Sequence, residues 1–129
     1  MKEQQDVMIR RTEDVPAMDV DRASRTTMQV LLGSEQGMPN YYTRLFTMEP
    51  GGHIPSHRHA TIEHQQVVLE GELVLIKDGG EEVVVRQGDV VYLPAKKYHG
   101  YQNRGTGPVK LLCIVPATAE YSTEWLETS

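Results

Sequence analysis

The chain has 129 residues, 39% hydrophobic and 24% charged, with a net charge of −5 and one cysteine. That length predicts one domain closing one core. No lysine/arginine cluster marks a nucleic-acid surface, and the lone Cys113 rules out an intramolecular disulfide or a Cys-x-x-Cys motif. The apolar runs, about half a dozen residues at most, fall far short of the ~20 a membrane-spanning helix needs. The polar start, Met1 to Asp6, lacks the apolar core of a secretory leader, so the expected location is the cytoplasm.

Residues 1–26 read as an arm with at most one strand, packed on the body of the protein or on a neighbouring subunit, with a disordered tail as the alternative. Thr27 to Leu32 is a predicted strand, and Gly33 to Asn40 is a loop of turn formers. Tyr41 to Met48 is aromatic and β-branched, a second strand, which Glu49-Pro50-Gly51-Gly52 is expected to break. Gln65 to Leu69 continues as a strand to the turn at Glu70-Gly71. Leu73 to Lys77 and Glu82 to Arg86 flank Asp78-Gly79-Gly80-Glu81, a hairpin signature. Val90 to Leu93, Tyr98 to Asn103 and Val109 to Val115 complete the set, each bounded by Gly or Pro. The tail, residues 117–129, is expected to make one helical turn around Glu120 to Leu126. Many short strands at roughly ten-residue spacing predict an all-β sandwich or barrel, of which a jelly roll is the form that leaves a mouth for a ligand.

The densest chemistry lies between Gly51 and His64, where three histidines, His57, His59 and His64, fall within eight residues. Side chains two apart on a strand share a face, so His57 and His59 can grip one ion. His64 follows a short connection, and His99 sits in the second Gly/Pro-marked segment, Gly88 to Asn103. Imidazole suits zinc, copper, iron and nickel, so a mononuclear transition-metal site is the first reading. Glu63 competes with His64 as a ligand; on an extended backbone it points the other way. His53 fits no ligand position and is expected in a loop or at the pocket rim.

Alternation nominates the rest of the wall. Gln66 and Val68 turn inward with His64, and Tyr101 turns inward with His99. An outward Lys110 turns Leu111, Cys113 and Val115 inward. Tyr42, Arg44 and Phe46 share one face; if that face is inner, Arg44 becomes a cation for an anionic substrate group. Ile54 is placed near the mouth. Arg44, Tyr101 and Cys113 are the candidate catalytic side chains. Cys113 also reads as a plain buried residue, and Arg44 as a solvated or salt-bridged one. The carboxylates Glu70, Glu72, Glu81, Glu82 and Asp89 lie in or beside turns and read as solvated surface. No nucleophile elbow, phosphate loop or Cys/His dyad is present.

Two spacings carry a resemblance. Gly51, five residues, His57-Arg58-His59, four residues, His64, six residues, Gly71 forms the first; Gly88, five residues, Pro94-Ala95-Lys96, two residues, His99, three residues, Asn103 forms the second. Both resemble the paired motifs of the cupin superfamily. There are two departures: Lys96 replaces a glycine, so that turn is expected without a free φ, and His64 stands where most cupins carry a glutamate ligand. From about residue 25 to 116 the chain resembles the small single-domain cupins with a four-histidine site, which include a manganese-binding member.

The resemblance implies a double-stranded β-helix barrel over 27–116, flanked by the arm (1–26) and the tail (117–129). It implies a metal inside the barrel held by His57, His59, His64 and His99, and a homodimer, often with exchanged N-terminal strands. One divalent transition metal per chain is expected, manganese or iron first, with copper, nickel or zinc as alternatives. Four neutral imidazoles leave the ion its full charge, which favours anionic or enolate oxygen. The leading expectation is an oxidoreductase of dioxygenase type acting on a small organic substrate. The alternatives are a Lewis-acid isomerase or lyase, or a non-catalytic small-molecule-binding module.

Overall fold

The computed structural model describes residues 5–118 and 122–126. Its strands, in chain order, are β1 (Met18–Asp19), β2 (Ser24–Leu32), β3 (Tyr41–His59), β4 (His64–Glu70), β5 (Glu72–Ile76), β6 (Glu82–Arg86), β7 (Val90–Leu93), β8 (His99–Gln102), β9 (Val109–Pro116) and β10 (Thr123–Trp125). Two short 3-10 turns, Thr12–Asp14 and Ser34–Gln36, precede β1 and β3. The architecture is all-β. One antiparallel path runs β6-β5-β8-β3-β9-β4-β7, with β2 and β10 on β3 and β1 on β2. It curls into a jelly-roll barrel.

The hub is β3. Its first half, Tyr41 to Met48, pairs with β9 from Pro116 to Val109. Its second half pairs with β8 in the register His53↔Gln102 and His57↔His99. The expected break at Glu49-Pro50-Gly51-Gly52 does not occur, because β3 runs unbroken for 19 residues. Gly51 takes φ +82°, a conformation glycine adopts without a Cβ penalty, and the chain bends instead of ending. Pairing continues through the bend: the Gly51 amide donates to the Asn103 carbonyl at 3.0 Å, and the Asn103 amide donates to Gly52 at 2.9 Å. A buried Asn103 side chain anchors the same corner by donating to the Met48 and Gly107 carbonyls.

The core fills the barrel from one face of each strand. In β9, Val109, Leu111, Cys113 and Val115 are buried while Lys110 is exposed, a strict two-residue period. Leu73, Val68 and Val109 are each about 1% exposed and join Met48, Ile54 and Leu111 in the main cluster. Each such side chain contributes roughly 1.5–3 kcal/mol on burial. A smaller cluster of Ile62, Cys113 and Val115 packs with Tyr42 and Phe46.

Two further expectations change. β2 starts at Ser24, three residues before Thr27, because Ser24 is already in register with His53. The expected helical turn around Glu120–Leu126 is a strand over its described part, and residues 119–121 lie outside the described residues. Thr123, Glu124 and Trp125 pair with His59, Arg58 and His57, so an open edge of β3 decides their conformation. The arm lies along its own barrel: Arg10 Nη1 donates to the Leu31 carbonyl at 2.6 Å, and Gln29 Nε2 donates to Thr12 and Val15 carbonyls.

Candidate metal centre

The strand register brings the four histidines together. His57 and His99 are direct partners across β3 and β8, and their ring centroids stand 4.4 Å apart. That pair needs β8 pressed close to β3. A Cβ on Gly100 would sit 2.7 Å from Ser56 Oγ and 3.1 Å from the Ile54 carbonyl oxygen, so only glycine admits the approach. His59 lies one pleat beyond His57, its ring 5.3 Å away. His64 opens β4 across the barrel, 5.0 Å from the His59 ring and 5.6 Å from His99. Ligand atoms of His57, His59 and His99 all lie within 4.8 Å of one another. Glu63 is exposed and accepts a 2.7 Å hydrogen bond from Tyr92 Oη, on the face opposite His64.

Tautomers follow from the neighbours. The Nδ1 atoms of His57, His99 and His59 lie 2.9, 3.2 and 3.3 Å from the carbonyl oxygens of Pro55, Lys97 and Ser122. A carbonyl only accepts, so each of these Nδ1 atoms carries the proton and each Nε2 keeps a lone pair for a ligand. His64 differs. It is 3% exposed, and neither ring nitrogen has a hydrogen-bond partner. A buried imidazole with both nitrogens unsatisfied is costly, and a bound ion would remove part of that cost.

Charge points the same way. Burial pushes His64 down to about 2, with the Arg44 charge and the neighbouring imidazoles adding to it. Burial pushes His99 down to about 3, helped by His57. His57 and His59 are lowered first by burial, against the pull of their carbonyl partners. All four are neutral at physiological pH, the form that ligates. A set of neutral nitrogen donors with oriented rings fits a divalent transition metal.

The histidines face a cavity of about 440 Å³. Phe46, Ile54 and Leu111 line it, and Arg44 enters from β3. Arg44 Nη2 lies 3.5 Å from Cys113 Sγ, and its guanidinium covers the Phe46 ring at 5.4 Å. Tyr101 Oη donates to Gln66 Oε1 at 2.6 Å, which turns the Gln66 amide nitrogen toward Cys113 Sγ at 3.6 Å. Burial raises the Tyr101 phenol, so it is a neutral donor. Arg44, Tyr101 and Cys113 thus meet on one wall. His53 sits within β3 instead of a loop and does not line the cavity.

Sequence reasoning missed Thr123 and Trp125 of β10, Asp19 of β1 and Asp21 just beyond it, all of which line the cavity. Their segments show no motif and little strand pattern; only their pairing with β3 and β2 brings them there. Lys96, expected to turn without a free φ, adopts φ +72° and donates its amide to the His59 carbonyl at 2.8 Å. The turn keeps the glycine conformation and bears the strain.

The model of the cupin domain matches residues 44–115. An uncharacterized protein of Methanocaldococcus jannaschii is 38% identical over 72 residues, 55% of this chain and 57% of that one. The cupin-domain-containing oxidoreductase virC of Hypocrea virens is 32% identical over 74 residues, 56% of this chain and 38% of that protein. The aligned stretch therefore spans between a third and somewhat over half of these curated relatives. Among solved structures, the polyketide cyclase RemF from Streptomyces resistomycificus superposes with a TM-score of 0.84 at 27% identity, covering 95% of this chain and 88% of that one. With a matched domain over more than half its length and a double-stranded β-helix around its histidines, the chain belongs to the cupin family.

Proposed function

We propose that this chain is a metal-dependent oxidoreductase of dioxygenase type, acting on a small organic molecule through an enolic, phenolic or carboxylic oxygen. The observation that carries it is four neutral imidazoles facing one cavity, with Arg44 as a cation on an otherwise largely apolar wall. His57, His59, His64 and His99 hold the ion. A divalent ion on neutral donors supplies undiminished positive charge to a substrate oxygen and, as iron, manganese or copper, one-electron exchange with dioxygen. Arg44 holds the far end of an anionic substrate. Tyr101 fixes Gln66 as a directed amide donor, and the apolar wall excludes water. The fungal relatives named cupin-domain-containing oxidoreductases support this reading.

The likeness to RemF favours a second reading, in which the same ion acts only as a Lewis acid in an isomerisation or ring closure without dioxygen. Oxygen uptake separates the two. Protein loaded in turn with iron, manganese, copper, nickel and zinc is assayed with enols, 1,3-diketones and phenols. Oxygen consumed with a redox metal and not with zinc supports the dioxygenase. Product formed anaerobically with zinc supports the Lewis acid and overturns it.

The homodimer belongs to this proposal. Val7 and Ile9 in the arm are 86% and 82% exposed, apolar surface that a second copy would cover. The cytoplasmic location is likewise proposed; no helix among the described residues is long and apolar enough to cross a membrane.

A further inference from the structure

β10 adds little to the core: Thr123 and Glu124 are exposed and Trp125 is half-buried. Its contacts converge on the ligand stretch of β3. The register is Thr123↔His59, Glu124↔Arg58 and Trp125↔His57. The Ser122 carbonyl lies 3.3 Å from His59 Nδ1, with Thr123 Oγ1 at 3.2 Å. The Trp125 ring stands 4.9 Å from the His57 ring. Glu124 accepts from Arg58 Nε and Nη2 at 3.0 and 2.9 Å and from Tyr98 Oη at 3.0 Å, and the Leu126 amide donates to the Ser56 carbonyl at 2.9 Å.

The other edge of β3 explains why this matters. Backbone pairing with β8 ends at His57↔His99, one pleat short of His59. β10 supplies a neighbour there. A cross-strand neighbour restricts the rotamer of a side chain near a strand end, so less freedom is left to lose on binding an ion. Arg22, at φ +64°, lays its guanidinium 5.2 Å over the Trp125 ring and so ties the turn before β2 to the same spot.

We infer that β10, with Ser122 just before it, is a positioning element of the metal centre: Trp125 against His57, and the Ser122 carbonyl against His59, hold two ligand imidazoles in the orientation and tautomer that present Nε2 to the ion. The inference rests on the reading that the four histidines bind a metal. It concerns residues outside the stretch matched to the cupin domain, which ends at 115. The Ser122 carbonyl can only accept, so it fixes the proton on His59 Nδ1; the Thr123 hydroxyl can donate or accept and fixes nothing by itself.

The test uses full-length protein and zinc. Affinity is read by competition with a chromogenic chelator, and the His59 tautomer by ¹⁵N NMR of the imidazoles. In E124A/W125A, which removes the Arg58 tie and the indole, zinc affinity should fall about 10–100-fold, the usual cost of losing outer ligand support. His59 should then shift from the Nδ1–H form to a mixture. Equal affinity and an unchanged His59 tautomer in E124A/W125A overturn the inference and leave the metal reading standing. A wild type that takes up no zinc overturns the metal reading and this inference with it. If E124A/W125A does not fold, E124A alone decides: a smaller loss of affinity supports the inference, and none overturns it.

Discussion

His57 and His99 occupy directly opposite positions on β3 and β8, 42 residues apart in the chain, and their rings stand 4.4 Å apart. Register alone makes them neighbours. Everything else in the centre is arranged around that pair: His59 one pleat on, His64 across the barrel, and Trp125 on the far edge of β3.

His64 should be a stabilising residue only when metal is present. Without an ion it is a buried imidazole with two unsatisfied nitrogens. Replacing it by Leu, of similar volume, should raise the stability of the metal-free protein by about 1–3 kcal/mol. The same change should weaken metal binding by more than about tenfold, since even outer-shell losses cost that much. Glu63→Ala should leave the metal bound, because Glu63 faces solvent and Tyr92. Urea unfolding of chelator-treated protein and metal analysis after dialysis check both halves. Metal lost from Glu63→Ala and retained by His64→Leu would reverse the ligand assignment.

Acid should unfold the metal-free protein through its histidines. Burial first holds the His64 and His99 pKa values at about 2 and about 3, below the unfolded value of 6.5. Between those limits the unfolded chain binds more protons than the native one, so stability rises with pH there. The contribution is fully present above about 6.5 and is lost as pH falls below it, by about 1.4 kcal/mol per pH unit for each histidine. Urea midpoints of metal-free protein should be level above pH 7.5 and fall steadily between pH 6.5 and 5. A midpoint unchanged down to pH 5 would show that these imidazoles are not held neutral.

Lys96 bears measurable strain. At φ +72° a side chain with a Cβ costs roughly 1–2 kcal/mol, partly offset by the greater unfolded freedom of glycine. Lys96→Gly should therefore raise stability by up to about 1 kcal/mol, seen as a higher thermal midpoint. The amide that bonds the His59 carbonyl is kept, so metal content should not change. A lower midpoint would mean that the lysine side chain contributes more than its backbone strain costs.

Part of this protein was legible because it is local. Strand alternation places His57 with His59, separates His64 from Glu63, and turns Leu111, Cys113 and Val115 inward, since a two-residue period fixes the face once one member is known. Gly and Pro spacing marks the turns. The Gly51 to Gly71 and Gly88 to Asn103 spacings carry the family resemblance that the matched domain bears out.

The tertiary structure decided what depends on a distant partner. Glu49-Pro50-Gly51-Gly52 reads locally as a break, yet Asn103 pairs across it and converts the break into a bend that hands β3 from β9 to β8. Residues 123–125 have little strand signal of their own; the open edge of β3 beside His57 and His59 makes them a strand and sets Trp125 against the site. Lys96 takes a conformation its residue type disfavours because its amide is held by the His59 carbonyl. Local sequence sets which face a side chain shows. Only long-range pairing, whose hydrogen bonds outweigh local preference, determines which faces meet.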